Sequence, residues 1–328
     1  MESTFPGWLY PIIFSAAALV SGLAAKWWIA FSLRIGLLDC PGIRKIHAKP
    51  IPLAGGLIVA TGLVIPLAFA ALIVKLQLLG PELTEISSYG LNARTLQLVG
   101  LLFGALGMLT LGLIDDRGAM SAGKKLAFQI LIVAIVAATG TRITLFVPSP
   151  IFSYAITILW FLTLVNAFNF NDNMNGLCAG LAAISALAFA IHSALPEHYL
   201  VASLGFLIAG AVFGYLPFNY PKAQTFLGDS GSHLIGYLIA ALAILPHFHH
   251  DAQPNKLGVV SPLLVLGMVL VDLCWIVSYR LYHRKPIYIG DTNHLSHQLV
   301  RRGFSTSTAV AILWALHAVL AASSFLLV

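Results

Sequence analysis

The 328-residue chain is 59% hydrophobic and only 9% charged, with a mean hydropathy of +0.90. A soluble domain of this length carries about a quarter charged residues, so a water-soluble fold is excluded and lipid is the expected solvent. The net charge of +6 does not point to nucleic acid, because the basic residues sit in short loops between apolar runs and form no basic face.

Backbone amides find no water in hydrocarbon, so each apolar run is expected to be helical. The predicted fold is all-α: one polytopic transmembrane domain over residues 1–328 with about ten spans. They lie near 8–30, 53–76, 96–114, 125–145, 151–167, 177–195, 199–217, 231–246, 259–280 and 306–327. The first run has no basic leader region and ends in Lys26-Trp27-Trp28, which reads as a retained span with an interfacial anchor. Cys40, Cys178 and Cys274 are odd in number and far apart, supporting neither a disulfide framework nor a zinc site.

Loop charge gives the orientation. With the N-terminus outside, the inner loops hold Arg34, Arg44, Lys45, Lys49, Arg117, Lys124, Lys125, Lys222, Arg280, Arg284, Lys285, Arg301 and Arg302, and the outer loops only Lys75, Arg94, Arg142 and Lys256. Positive charge favours the cytoplasmic side, so both termini are predicted outside and every polar motif inside.

The first inner loop, residues 36–56, carries Arg44, Lys45, His47 and Lys49 ahead of Gly55-Gly56. These donors and the helix amides after them suit phosphate, although a lipid-headgroup anchor is the simpler reading of this loop alone. The second ends one span with Asp115-Asp116 and opens the next with Lys124-Lys125; Gln129 shares a helix face with Lys125. Two carboxylates at a helix C-terminus face the wrong end of the dipole, and capping does not explain them. A hard cation or a general base does. The third loop crowds Asn166, Asn169, Asn171, Asp172, Asn173 and Asn175 into ten residues, more than capping requires.

In the fourth loop, Asp229 precedes a Ser/Gly-rich helix start, where an N-cap is its plain role, and Phe226 is suited to stacking on a base or to the membrane interface. The fifth holds His294, His297, Arg301 and Arg302, a cationic surface suited to phosphate, with Asp272 as the expected partner of Arg280. A lone H-x-x-H is a weak metal signal, and no Walker A sequence is present. Together the acids Asp115, Asp116, Asp172, Asp229 and Asp272 lie near one predicted face among basic residues. That is the chemistry of Mg²⁺-assisted transfer on a polyphosphate.

In their order, these motifs resemble the polyprenyl-phosphate N-acetylhexosamine-1-phosphate transferases over nearly the whole chain. The resemblance implies transfer of a sugar-1-phosphate from a UDP-sugar to undecaprenyl phosphate, with release of UMP, in a bacterial inner membrane. It implies Mg²⁺ as cofactor, with Mn²⁺ as a substitute, and hints at a homodimer. By the same resemblance, Asp115 and Asp116 are the paired aspartates, the first a base toward the lipid phosphate. Asp229 is a Mg²⁺ ligand, with Asp116 and Asp172 beside it, and Asn166, Asn169 and Asp172 form the Asn-x-x-Asn-x-x-Asp signature. Asn219 and Phe226 match uracil-contacting positions. His294 and His297 face the sugar or its phosphates, and Lys45, His47, Lys49, Lys125 and Arg301 complete the substrate-binding set. The sequence departs from the family where Asn173 and Asn175 replace a glycine and an aspartate. A cation- or proton-coupled transporter is the competing reading, but it would place its charges at mid-membrane in paired repeats. A non-catalytic lipid-binding relative is the third.

Overall fold

A computed structural model of the protein describes residues 5–41, 49–81, 83–85, 88, 94–144, 147–246, 256–286 and 292–327. Its helices, in chain order, are α1 (Leu9–Ile35), α2 (Gly55–Lys75), α3 (Thr95–Arg117), α4 (Ala122–Ala138), α5 (Pro150–Asn171) and α6 (Leu177–Ala194). There follow α7 (Tyr199–Tyr215), α8 (Gly228–Leu242), α9 (Ser261–Val265), α10 (Gly267–Tyr282), α11 (Leu295–Arg301) and α12 (Thr306–Ser323). A helix stands at the place of every predicted span. Among the described residues seven helices are long and apolar enough to cross a membrane, eight if a bent pair counts as one span. The chain is a mostly helical, multi-pass membrane protein.

The apolar surface is turned outward. On α1 the buried positions are Ala17, Ser21, Ala25 and Ser32, while Leu19, Leu23 and Trp27 are exposed. Small residues let helix backbones approach in lipid, where burying leucine brings no hydrophobic gain, and large residues meet the acyl chains. On α2, Val64, Ile65 and Phe69 face outward in the same way.

The centre of the bundle is α8. Every residue of it except Asp229 and Leu238 is buried, and it packs against α2, α3, α5, α6 and α7. A helix surrounded on all sides needs no polar face. Its polar residues, Asp229, Ser230, Ser232 and His233, are all confined to its N-terminal end.

The span predicted over 259–280 is broken: α9 and α10 meet at Leu266 with a 69° bend. A short antiparallel pair, β1 (Leu38–Asp39) with β2 (Ile51–Pro52), closes the base of the first loop. It is joined to the strand-like stretch before α8: Phe226 N donates to Pro52 O at 2.9 Å, and Thr225 Oγ1 donates to Pro52 O at 2.8 Å while accepting from Ala54 N at 3.1 Å.

Candidate active site

The site forms where the C-terminal end of α3 meets the N-terminal end of α8. Gly112 makes that meeting possible, since a Cβ there would collide with the backbone of Asp229 and Ser230. One turn on, the Asp116 carboxylate reaches over the start of α8. Its Oδ1 accepts from Asp229 N at 2.8 Å and its Oδ2 from Ser230 N at 3.1 Å. The first amides of a helix have no intrahelical acceptor and carry the positive end of its dipole. Asp116 thus caps α8 from another helix, and the acid that sits badly at the end of α3 is stabilised by the start of α8. The plain N-cap role expected for Asp229 is corrected: Asp229 lies inside the first turn, and its amide is the one being capped.

Asp115 accepts from Met120 N at 2.6 Å and is ion-paired with Lys125. The same ammonium lies 2.8 Å from Asp229 Oδ2. Asp229 Oδ1 accepts from Asn169 Nδ2 at 2.7 Å, and that amide also donates to Ser232 Oγ at 2.9 Å. A turn earlier on α5, Asn166 donates to Gln129 Oε1 at 3.1 Å. The shared face predicted for Lys125 and Gln129 is therefore used on both turns of α4. Four helices converge on one constellation: Asp115 and Asp116 from α3, Lys125 and Gln129 from α4, Asn166 and Asn169 from α5, and Asp229 from α8.

Asp172 follows α5 directly and is the exception in the set, for among the described residues its carboxyl makes no hydrogen bond or ion pair. Burial, and then the negative charges of Asp229 and Asp116, push its pKa up to about 8, so it holds a proton at neutral pH. Uncommitted oxygens beside Asp229 suit a small hard cation, which takes one or two carboxylates and keeps several waters. Among the described residues no three His, Cys, Asp or Glu side chains are grouped to hold a metal, because Asp116 is turned to the α8 amides and Asp115 to Lys125.

The other predicted residues stand apart from this centre. Asn219 is buried, accepting from Gly176 N at 2.6 Å and donating to Thr225 O at 2.9 Å, so its side chain ties the loops before α6 and α8 together. Phe226 is half-buried on the strand-like segment. Asn175 donates to Pro221 O at 3.3 Å. His294 is buried against Asp272, half-buried His297 lies one turn along, and exposed Arg301 donates to Thr292 O at 2.9 Å. The Asp272–Arg280 pairing is corrected. Asp272 faces His294 and Leu295 N, while the buried Arg280 guanidinium lies 5.0 Å from the centre of the Phe170 ring. Lys49 is exposed, and Lys45 and His47 lie outside the described residues.

The helix amides expected at Gly55-Gly56 for phosphate are also corrected. Gly55 N donates to Phe226 O at 3.0 Å and Gly56 N to Leu227 O at 3.2 Å. A Cβ on Gly55 would stand 2.6 Å from Leu227 Cα, so these glycines serve a close backbone crossing. Sequence reading passed over Gly112, Thr225, Ser232 and Ser296. Each acts through a partner far along the chain, and although Thr225, Ser232 and Ser296 lie next to or near Phe226, Asp229 and His297, nothing local in the sequence names those partners.

The sequence profile described as "Glycosyl transferase family 4" matches residues 98–247, which hold Asp115, Asp116, Lys125, Asn166, Asn169, Asp172 and Asp229. Among curated proteins, the "Decaprenyl-phosphate N-acetylglucosaminephosphotransferase" of Mycolicibacterium smegmatis is 30% identical over 326 residues, covering 91% of this chain and 77% of its own length. The "Undecaprenyl-phosphate alpha-N-acetylglucosaminyl 1-phosphate transferase" of Yersinia pestis is 28% identical, covering 95% of this chain and 81% of its own. The "Probable undecaprenyl-phosphate N-acetylglucosaminyl 1-phosphate transferase" of Bacillus subtilis is 26% identical, covering 90% and 78%.

Proposed function

The chain belongs to the polyprenyl-phosphate N-acetylhexosamine-1-phosphate transferase family, and from that premise we propose that it transfers N-acetylglucosamine-1-phosphate from UDP-N-acetylglucosamine to undecaprenyl phosphate, releasing UMP. The observation that carries this reading is the convergence of Asp115, Asp116, Lys125, Asn169 and Asp229 at the ends of four helices. All five lie within the stretch matched by the family profile. Ten spans, both termini outside and a cytoplasmic site in a bacterial inner membrane complete the proposal. Helices α4 and α8, at 17 and 15 residues, reach about 22–26 Å and cross a locally thinned bilayer. A homodimer is part of the same reading.

An oxygen of the lipid phosphate attacks the β-phosphorus of the donor, the bond from that phosphorus to the bridging oxygen breaks, and UMP leaves with the electron pair. Asp115 takes the proton of the lipid phosphate if it arrives protonated. Lys125 supplies positive charge beside the reacting phosphates, and Asn169 holds the Asp229 carboxylate in one orientation. Asp172 and Asp229 would hold Mg²⁺, with Asp116 fixing the turn that carries Asp229. When bound, the cation neutralises diphosphate oxygens as charge builds on the leaving UMP. Asp116 acts here chiefly through the backbone, since both its oxygens already accept amides.

Purified protein with undecaprenyl phosphate, UDP-N-acetylglucosamine and Mg²⁺ should release UMP only when all three are present. Asp229→Asn should abolish the release while the protein stays folded. UMP release without the lipid, or full activity in Asp229→Asn, would sink the proposal.

A further inference from the structure

The two histidines of His294-Leu295-Ser296-His297 are in different situations. His294 is buried, and its Nδ1 lies 2.7 Å from Oδ2 of Asp272, which is itself buried on α10. A carboxylate can only accept, so the Nδ1 proton belongs to His294 and the tautomer is fixed. The other oxygen, Oδ1, accepts from Leu295 N at 2.8 Å, the first amide of α11. One carboxylate therefore holds both the residue before α11 and the first residue of it. A second tie lies one residue on, where Ser296 Oγ donates to Asn173 Oδ1 at 2.7 Å. Asn173 is in turn braced by its own Nδ2 to Phe170 O at 2.8 Å. Asn173 follows Asp172 directly, so this tie ends on the loop that carries the uncommitted carboxyl.

The ties matter because α11 has only seven residues. A helix that short does not hold itself in place. It packs against α12 and the core through Leu295 and Leu299, and its N-terminal end is further fastened by these side-chain ties. The fastened residues are His294 and Ser296, and the residues they place are His297 and, a turn beyond, the exposed Arg301.

We propose that Asp272 and Asn173 are positioning residues that fix α11 to α10 and to the loop that carries Asp172. In this arrangement His294 is an anchor, and its fastening sets where His297 and Arg301, the residues that the family resemblance assigns to the donor, are held. The proposal rests on the transferase reading for the identity of the donor, but the fastening of α11 is independent of it. It also gives Asn173 a task of its own, as the acceptor for Ser296.

The test uses the full-length protein in detergent with undecaprenyl phosphate, comparing wild type with Asp272→Asn, Asp272→Ala and Asn173→Ala. Amide hydrogen exchange over residues 295–301 reads the fastening, and Michaelis constants for UDP-N-acetylglucosamine and for undecaprenyl phosphate read its consequence. Asp272→Ala should speed exchange in α11 and raise the donor KM by about tenfold or more, with the lipid KM changed far less. Asp272→Asn keeps an acceptor for Leu295 N and should fall between wild type and Asp272→Ala. A merely structural loss would lower the active fraction and leave both constants unchanged. Unchanged exchange in Asp272→Ala, or faster exchange with an unchanged donor KM, overturns the proposal. Faster exchange in a protein whose wild type releases no UMP would uphold the fastening and instead overturn the transferase reading. Should Asp272→Ala fail to fold, Asn173→Ala, which removes only the outer tie, must show the same pattern at smaller amplitude.

Discussion

Asp116→Asn separates an acid that works on the substrate from one that works on the fold. The substitution keeps volume and one acceptor oxygen, but it replaces the other oxygen with an NH₂ group. One of the two α8 amides, at 2.8 Å or 3.1 Å in the native protein, then faces a donor instead of an acceptor. Losing one charge-assisted hydrogen bond and stranding that amide costs about 2 kcal/mol. In a protein of this size that is a fall of about 3 °C in the unfolding midpoint. Asp116→Ala should cost more, because both amides lose their acceptor. Gly228→Ala strains the same turn, for φ is +72° and a Cβ would stand 2.8 Å from Asp116 Oδ2. The two substitutions should therefore be non-additive, the double variant losing less than the sum. Thermal unfolding in detergent, followed by tryptophan fluorescence with UMP release measured on the same samples, is the assay. An Asp116→Asn protein with a native midpoint and no activity would refute the capping argument and place Asp116 in the chemistry instead.

Lys125→Met leaves Asp115 and Asp229 facing each other without their shared cation. UMP release should fall by about 100-fold or more, and millimolar Mg²⁺ should raise the variant's unfolding midpoint more than the wild type's. Gly112→Ala forces α3 off the backbone of Asp229 and Ser230, so the expected result is poor folding yield together with loss of activity, checked by size-exclusion profile and UMP release. The Asp172 carboxyl, raised to about 8, is neutral in the metal-free protein at pH 7 and ionises as pH rises. Its unfolded counterpart ionises near 4, so stability falls as pH climbs from about 4 to about 8. Mg²⁺ needs the ionised form and should bind more tightly up to about pH 8, then level off. Calorimetry on wild type and Asp172→Asn checks this, the variant being expected to show a weaker pH dependence than wild type.

Much of the architecture was legible because lipid leaves the backbone few options, and each apolar run became a helix. Less legible was which helices would be short and central. The run at 231–246 looks like the others in sequence, but the small and polar residues at its start mark α8 as the helix the others surround. The bend at Leu266 was missed, although Pro262 and Gly267 punctuate that run. Within the site, residue types near Asp115, Asn169 and Asp229 were readable from crowding alone. Their partners were not: Asp116 meets amides 113 and 114 residues away, and Asp272 meets His294 instead of Arg280. Such pairings depend on helix crossings that no local pattern encodes.

Every charged member of the central constellation lies close to a helix end. Asp115 and Asp116 close α3, Lys125 opens α4, Asn169 closes α5 and Asp229 opens α8. A site that moves an ion across the bilayer needs its charges at mid-helix, where they face both sides in turn. Charges gathered at helix ends serve a substrate that arrives from water and meets a lipid at the interface. The balance of charge argues the same way. Three carboxylates, Asp115, Asp116 and Asp229, face one ammonium, and the start of α8 adds only about half a positive charge. Burial first, and the surplus negative charge of Asp229 and Asp116 after it, keep the proton on Asp172. A cluster that served only to join four helices would gain stability by balancing its charges. This one keeps an unbalanced field and an uncommitted carboxyl side by side, which is the electrostatic condition for binding a divalent cation together with a polyphosphate.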